Sequence, residues 1–237
     1  MEGGKIVLNG DEAKNIAKVL SAFLDDAAFE FKDGKVVVGG FDPSRVVYIL
    51  AEITDGVFDE GGGKYGVNLS QLKKVLNRAK KKDDVTIEFS NDKIKVTIEG
   101  TMKRTFVLPI VSAEEVQEVD VSNLPLNAMF SVGAKELYEI IKDAKLVTDA
   151  VKFIVKDGIV TIKASGDINE FEATFDDLEE VDGEAEAMYS VSFLEDFLKN
   201  IGSADLTVRL GTEAPMVAEA ELMNGRITFL LAPRVEE

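Results

Sequence analysis

The chain has 237 residues, 46% of them hydrophobic and 30% charged, a composition of folded proteins and a length that suits one large domain or two of ordinary size. It contains no Cys and no His, which removes disulfides, thiol and imidazole nucleophiles, Ser–His pairs and His/Cys zinc sites. Acidic residues outnumber basic ones by 44 to 27, and the formal charge of −17 opposes a polyanionic partner unless the cations are clustered.

No apolar run approaches the ~18 residues of a membrane-spanning helix. The start, MEGGKIVLNGDEAKN, has no basic stretch followed by an apolar one, so no secretory signal is expected and a cytoplasmic protein is. The first helix is predicted from Ile16, Val19, Leu20, Phe23 and Leu24, an apolar stripe at helical spacing with Lys14 and Lys18 on the opposite side. Period-two runs follow, with a hairpin turn at Asp33-Gly34. Gly61-Gly62-Gly63-Lys64 reads as a hairpin tip and not as a phosphate loop, because position 58 is Phe and position 65 is Tyr. A second, shorter helix carries Leu72, Val75, Leu76 and Ala79, with Ser70 near its N-cap and Lys73, Lys74, Arg78, Lys80, Lys81 and Lys82 on it or at its exit. Strands then lead to Thr105-Phe106-Val107-Leu108.

Residues 109–125, PIVSAEEVQEVDVSNLP, are bounded by prolines, acidic and without sustained period, as in an extended connector. Beyond it the same order returns. A third helix holds Leu137, Ile140, Ile141 and Ala144 inward, with Lys135, Lys142 and Lys145 on another side. A turn follows at Asp157-Gly158, then a fourth helix with Leu194, Phe197, Leu198 and Ile201, Ser192 near its N-cap and Lys199 on its polar side. The last strand is Thr228-Phe229-Leu230-Leu231. Ala13-Lys14 and Ala134-Lys135, Lys32-Asp33-Gly34 and Lys156-Asp157-Gly158, and the TFVL and TFLL strands recur in one order at offsets of 121 to 124. Two tandem copies of one α+β domain are therefore predicted, at 1–109 and 126–237, joined by a connector at 110–125, with helices on one face of antiparallel sheets.

The helices and their exits hold 12 of the 27 basic residues. Each cluster taken alone reads as a solvated helix face. If all four line one surface, they form a cationic track that suits a duplex backbone without reading its sequence. No aromatic residues interleave with these lysines, which disfavours a single-strand stacking platform. No acidic pair has a third spaced ligand and no acid–base set converges, so no metal, cofactor or catalytic residue is expected.

The tandem repeat, with FDPSRV at 41–46, GTMKRTFVLP at 100–109, VTDAVKF at 147–153 and FLLAPRVEE at the end, strongly resembles the archaeal proliferating cell nuclear antigens, the sliding clamps of DNA replication, over essentially the whole chain. The resemblance implies a homotrimeric ring of clamp domains around double-stranded DNA. Such a ring acts as a non-enzymatic processivity factor at the nucleoid and holds polymerase, clamp loader, ligase and nuclease through short peptide motifs. Lys14, Lys74, Lys142 and Lys199 fall where the family places DNA-facing cations, and Lys18, Lys73, Arg78, Lys80, Lys81, Lys135 and Lys145 are added from helix geometry. The partner-peptide pocket is implied at Phe41, Arg45, Val46, Tyr48, Val116, Val119, Leu231, Ala232, Pro233 and Arg234. From the residues alone, Phe41, Val46 and Tyr48 read as core strand. The subunit interface is implied at Thr105, Phe106, Val107 and Leu108 against Phe171, Ala173 and Phe175, flanked by Leu76, Arg78 and Leu146. Several family basic positions are polar or acidic here (Asn15, Ser21, Asn77, Glu139 and Ser192), and Glu195 and Asp196 dilute the fourth helix. These departures motivate the alternative of a clamp-fold accessory scaffold or heteromeric paralogue with weak self-trimerisation.

Overall fold

The computed structural model describes residues 3–59 and 62–235. Gly61 of the glycine run lies outside the described residues. In the first copy the elements are β1 (Gly4–Asn9), α1 (Gly10–Phe23), β2 (Asp26–Lys32), β3 (Lys35–Phe41), β4 (Val47–Ile53), β5 (Val57–Asp59), β6 (Gly63–Asn68), α2 (Leu69–Leu76), β7 (Asp84–Phe89), β8 (Lys93–Glu99) and β9 (Lys103–Pro109). A 3-10 turn at Val121–Asn123 follows. The second copy has β10 (Ala128–Gly133), α3 (Ala134–Lys145), β11 (Ala150–Lys156), β12 (Ile159–Ser165), β13 (Glu170–Phe175), β14 (Val181–Gly183), β15 (Ala185–Ser190), α4 (Val191–Ile201), β16 (Asp205–Leu210), β17 (Met216–Leu222) and β18 (Gly225–Leu231). The order of elements is identical in the two copies.

Pairing repeats as well. The first copy runs β5-β1-β7-β8-β9 and β4-β3-β2-β6, and the second runs β14-β10-β16-β17-β18 and β13-β12-β11-β15. The antiparallel pairs β1–β7, β2–β3 and β2–β6 return as β10–β16, β11–β12 and β11–β15. Both Asp-Gly turns are hairpins. Asp33 and Gly34 sit at φ of 52° and 75°, and Asp157 and Gly158 at 53° and 77°, the left-handed pairs that match the strand twist. The Gly-rich segment is different: β5 pairs with β1 and β6 with β2, so it joins two sheets and is not a hairpin tip.

By compactness the chain divides into a unit of Met1–Arg45, Ile49–Glu118 and Leu222–Ile227, and a unit of Val46–Tyr48, Val119–Glu221 and Thr228–Glu237. In the first unit, Phe29, Phe31, Tyr65 and Phe89 pack with ring centroids 5.2 to 5.9 Å apart, and Ile16, Leu20, Leu72 and Leu76 of the paired helices α1 and α2 are buried, with Phe29 among them. In the second unit, α3 packs on α4. There Phe197 stacks on Phe229 at 4.3 Å, and the buried Tyr189 hydroxyl donates to the Ala214 carbonyl at 2.8 Å. Burial holds that phenol well above its usual pKa.

The caps differ between copies. Asn9 accepts from the Asp11 and Glu12 N–H groups at the start of α1, and Asn68 accepts from Gln71 N–H at α2. Asn68, two residues before Ser70, is the α2 cap because the helix begins directly off β6. Likewise Ser190, two residues before Ser192, stands at the α4 cap, and neither α3 nor α4 has a side-chain cap bond. No helix among the described residues is long and apolar enough to cross a membrane.

Candidate functional site

α2 buries Leu69, Leu72 and Leu76, which leaves Lys74 exposed and Lys73 half-buried. The helix ends at its C-cap Asn77, so Arg78, Lys80, Lys81 and Lys82 lie in the turn before β7, all exposed. Residues 69–82 hold six cations and no carboxylate, and none of the six makes an ion pair among the described residues. Lys14 and Lys18 on α1 are half-buried, and Lys14 is 3.3 Å from Asp11.

The second unit is different. α3 holds Lys135, Lys142 and Lys145 exposed, opposite buried Leu137, Ile141 and Ala144, and Ile140 is only half-buried. Glu139 takes Lys142 at 3.0 Å, and Glu195 of α4 takes Lys145 at 2.5 Å. Both ammonium groups consequently titrate above the ordinary lysine value, chiefly through those hydrogen bonds. Asp196 is held above the usual carboxylate range by burial and by the adjacent Glu195, beside Lys199. α3 carries three cations and three carboxylates, and α4 one cation and two carboxylates.

A cleft of about 470 Å³ lies in the first unit, between Phe41–Arg45, Leu24–Ala27 and the connector residues Ser112–Gln117. Asp42 accepts from the Ser44 amide at 3.0 Å and from its hydroxyl. This tight turn places Arg45 at φ 58°, with its guanidinium 5.0 Å from the Phe41 ring centroid. The connector is tied down along one wall. Val111 N–H bonds the Gly66 carbonyl, Lys64 meets Glu115 at 2.8 Å, Val116 N–H donates to Glu30 at 2.7 Å, and Lys32 pairs with Glu118. Those lysines hold both glutamates below the usual carboxylate range. In the second unit the tail follows an equivalent course. Arg234 N–H bonds the Met188 carbonyl of β15 at 2.7 Å, and its guanidinium reaches Asp149 at 3.0 Å. Ala232 N–H bonds the Val46 carbonyl at 2.9 Å, with Val46, Val119, Ala232 and Pro233 half-buried and Arg234 exposed.

Three expected surface residues are core residues. Tyr48 is 1% exposed, Leu231 0% and Leu76 2%, each on the inward side of its element, so none offers surface to a partner. Apart from Arg78, in the turn after α2, and Leu146, the C-cap of α3, the remaining interface candidates lie on edge strands. β9 and β13 each end a sheet. Phe106 and Leu108, like Phe171, Ala173 and Phe175, are half-buried, Thr105 and Val107 are exposed, and Leu146 is 81% exposed. Met102 and Ile168, in the turns leading to those strands, are 64% and 98% exposed. Sequence reading missed both, although an isolated apolar residue in a turn is a visible cue. It also missed the Arg104 contacts with the turn after α2, where Asp83 ending a cation run is the cue. Among the described residues no cluster of three or more His, Cys, Asp or Glu could hold a metal.

No protein-family model matches the chain. The DNA polymerase sliding clamp 1 of Thermococcus kodakarensis is 40% identical over 243 residues, covering 96% of this chain and 97% of that protein. The DNA polymerase sliding clamp of Pyrococcus horikoshii is 39% identical over 98% of this chain and 99% of its own length. Among solved structures, PCNA from T. kodakaraensis superposes with a TM-score of 0.91 at 25% identity, covering 98% of this chain and all of that one. A. fulgidus PCNA, bound to the C-terminal region of FEN-1, has the same fold, with a TM-score of 0.86 at 23% identity over 99% of each chain.

Proposed function

The chain belongs to the DNA polymerase sliding clamp family, and from that premise we propose that three copies close into a ring around duplex DNA and tether polymerase to its template in replication and repair. The work is topological and not enzymatic: an encircling ring needs only weak, sequence-independent contact to stay on DNA. It acts in the cytoplasm, at the nucleoid. Residues 1–109 and 126–237 are taken as the two clamp domains and 110–125 as the connector.

The observation that carries the DNA contact is the run Lys73–Lys82, six cations without a carboxylate and without an ion pair among the described residues, on a chain of net charge −17. Attraction to phosphate is strongest there, while the acidic exterior repels DNA. Lys14, Lys18, Lys135, Lys142, Lys145 and Lys199 are proposed as weaker DNA-facing positions. Clamp loader, polymerase, ligase and nuclease are proposed to dock through short peptides. The cleft at Phe41 and Arg45 suits an apolar or aromatic anchor, and Val46, Val119, Ala232, Pro233 and Arg234 are partner-facing residues of the second unit. β9 of one copy is proposed to pair with β13 of the next, with Leu146, Met102 and Ile168 covered at that joint.

Replacing Lys73, Lys74, Lys142 and Lys145 with Ala should weaken polymerase stimulation, most at low salt and with a shallower salt dependence than the parent, and leave the fold intact. Unchanged stimulation removes the DNA-facing assignment. The paired lysines of α3 favour one second reading, an accessory clamp that trimerises weakly alone. Light scattering at micromolar concentration separates the two, because a species of one subunit mass supports the accessory reading.

A further inference from the structure

The turn that carries Lys80, Lys81 and Lys82 is held by a side chain from a distant strand. Asp83 is 6% exposed. Its Oδ2 accepts the Lys80 N–H at 2.9 Å and Arg104 Nη2 at 3.1 Å. Arg104 Nη1 donates to the Arg78 carbonyl at 3.0 Å. Asp83 also bonds the turn through its backbone, N–H to the Lys80 carbonyl at 3.0 Å, and its own carbonyl takes Gly10 N–H at 2.8 Å. Gly100, in the turn between β8 and β9, makes the room: a Cβ there would lie 2.2 Å from Asp83 Oδ1. Arg104 keeps this pose although its Nε is buried without a partner, so its two bonds to the turn outweigh an unmet donor.

We infer that Asp83 and Arg104 are positioning residues, a strut that fixes the Lys80–Lys82 turn to β9, so that ordering the outer edge of β9 also orders the cations. The inference rests on the proposed function, in which this turn faces DNA and β9 joins another copy. Left loose, three lysines on a short turn would have to be ordered at the moment of phosphate contact; the strut removes most of that cost beforehand. Since β9 is the joining strand, assembly and DNA contact favour each other, and by reciprocity each strengthens the other equally.

The test uses the full chain with Arg104→Gln, and Arg104→Lys as the conservative variant that keeps charge but loses the fork. Amide exchange at Lys80 should accelerate about tenfold in R104Q, with partial recovery in R104K. In the parent chain it should slow as concentration drives assembly. Retention on closed circular duplex should fall in R104Q, with a salt slope lower by about 1 or more. R104Q should have no further effect on retention when Lys80, Lys81 and Lys82 are already Ala; a residue that only stabilises the fold would add its effect instead. Unchanged exchange, or additive losses of retention, overturns the strut and leaves the clamp reading standing. If the triple-Ala chain retains duplex as well as the parent, the turn does not face DNA, and the site assignment and the inference fall together. Should R104Q lose the fold, R104K in the same cycle decides.

Discussion

Residues 69–82, α2 and the turn up to Asp83, carry six basic residues and no carboxylate, whereas α4, in the same place in the second copy, carries Lys199 against Glu195 and Asp196. Their inward sides are alike: Leu69, Leu72 and Leu76 in one, Leu194, Phe197 and Leu198 in the other. The shared backbone requires only those apolar positions, and outward positions away from caps and networks cost little to change. Duplication has therefore kept one architecture while its two outer surfaces diverged in charge. On the proposed reading, grip on DNA is concentrated in the first copy. The caps diverge in the same sense, with both asparagine caps in the first copy.

The largest expected effect tests that concentration directly. Replacing Lys73, Lys74, Lys80, Lys81 and Lys82 with Ala should cut retention on circular duplex about tenfold or more between about 50 and 200 mM salt. The matching set Lys135, Lys142, Lys145 and Lys199→Ala should cost only about two- to threefold. Equal losses would show that both copies grip alike. Next comes the fold itself. Asn9→Ala and Asn68→Ala should each lower unfolding free energy in urea by about 1 kcal/mol, whereas Ser190→Ala, with no cap bond to lose, should change it by a few tenths. A smaller gain is expected from Glu139→Gln with Glu195→Gln, which frees Lys142 and Lys145. Retention should rise about two- to threefold at low salt, and the two Nζ pKa values, read by NMR, should fall toward the ordinary lysine value.

The smallest effect concerns pH. Glu12 is buried, which raises its pKa above the ordinary 4.5, while the Asn224 N–H bond at 2.8 Å works in the opposite direction. A raised carboxyl pKa contributes stability that is full below 4.5 and is lost as pH rises through the folded value. The stability of Glu12→Gln relative to the parent should accordingly improve from about pH 4 to about pH 7 in urea melts. A difference that does not change with pH would show that Glu12 ionises normally.

Much of the fold was legible because local chemistry and repetition agree. Both Asp-Gly turns need two residues at positive φ, and both have them. The helical stripes were readable by spacing. β5 and β14, at three residues each, are too short to show a period, so the Gly-rich segment beside β5 was read as a hairpin when it joins two sheets. The cation run after Leu72 was visible because it is contiguous. Its partial counterpart on α3 was misleading, since the neutralising Glu195 lies 50 residues beyond Lys145. Leu76 belongs to the apolar stripe by its spacing from Leu69 and Leu72, and burial follows the stripe and not the family position. The Arg104–Asp83 strut spans 21 residues and two elements, a distance no local pattern crosses.

The chain covers its sheet edges selectively. Val111 on β6 and Arg234 on β15 occupy two of them, and the three-residue strands β5 and β14 blunt two others, which leaves β9 and β13 as long exposed margins. One begins with Lys103 and Arg104, and the other bears Glu170 and Glu172. On the proposed pairing of β9 with β13, each chain is in polymer terms a bifunctional monomer with unlike ends. On that pairing it adds only head to tail and does not branch, and growth stops when the last end meets the first.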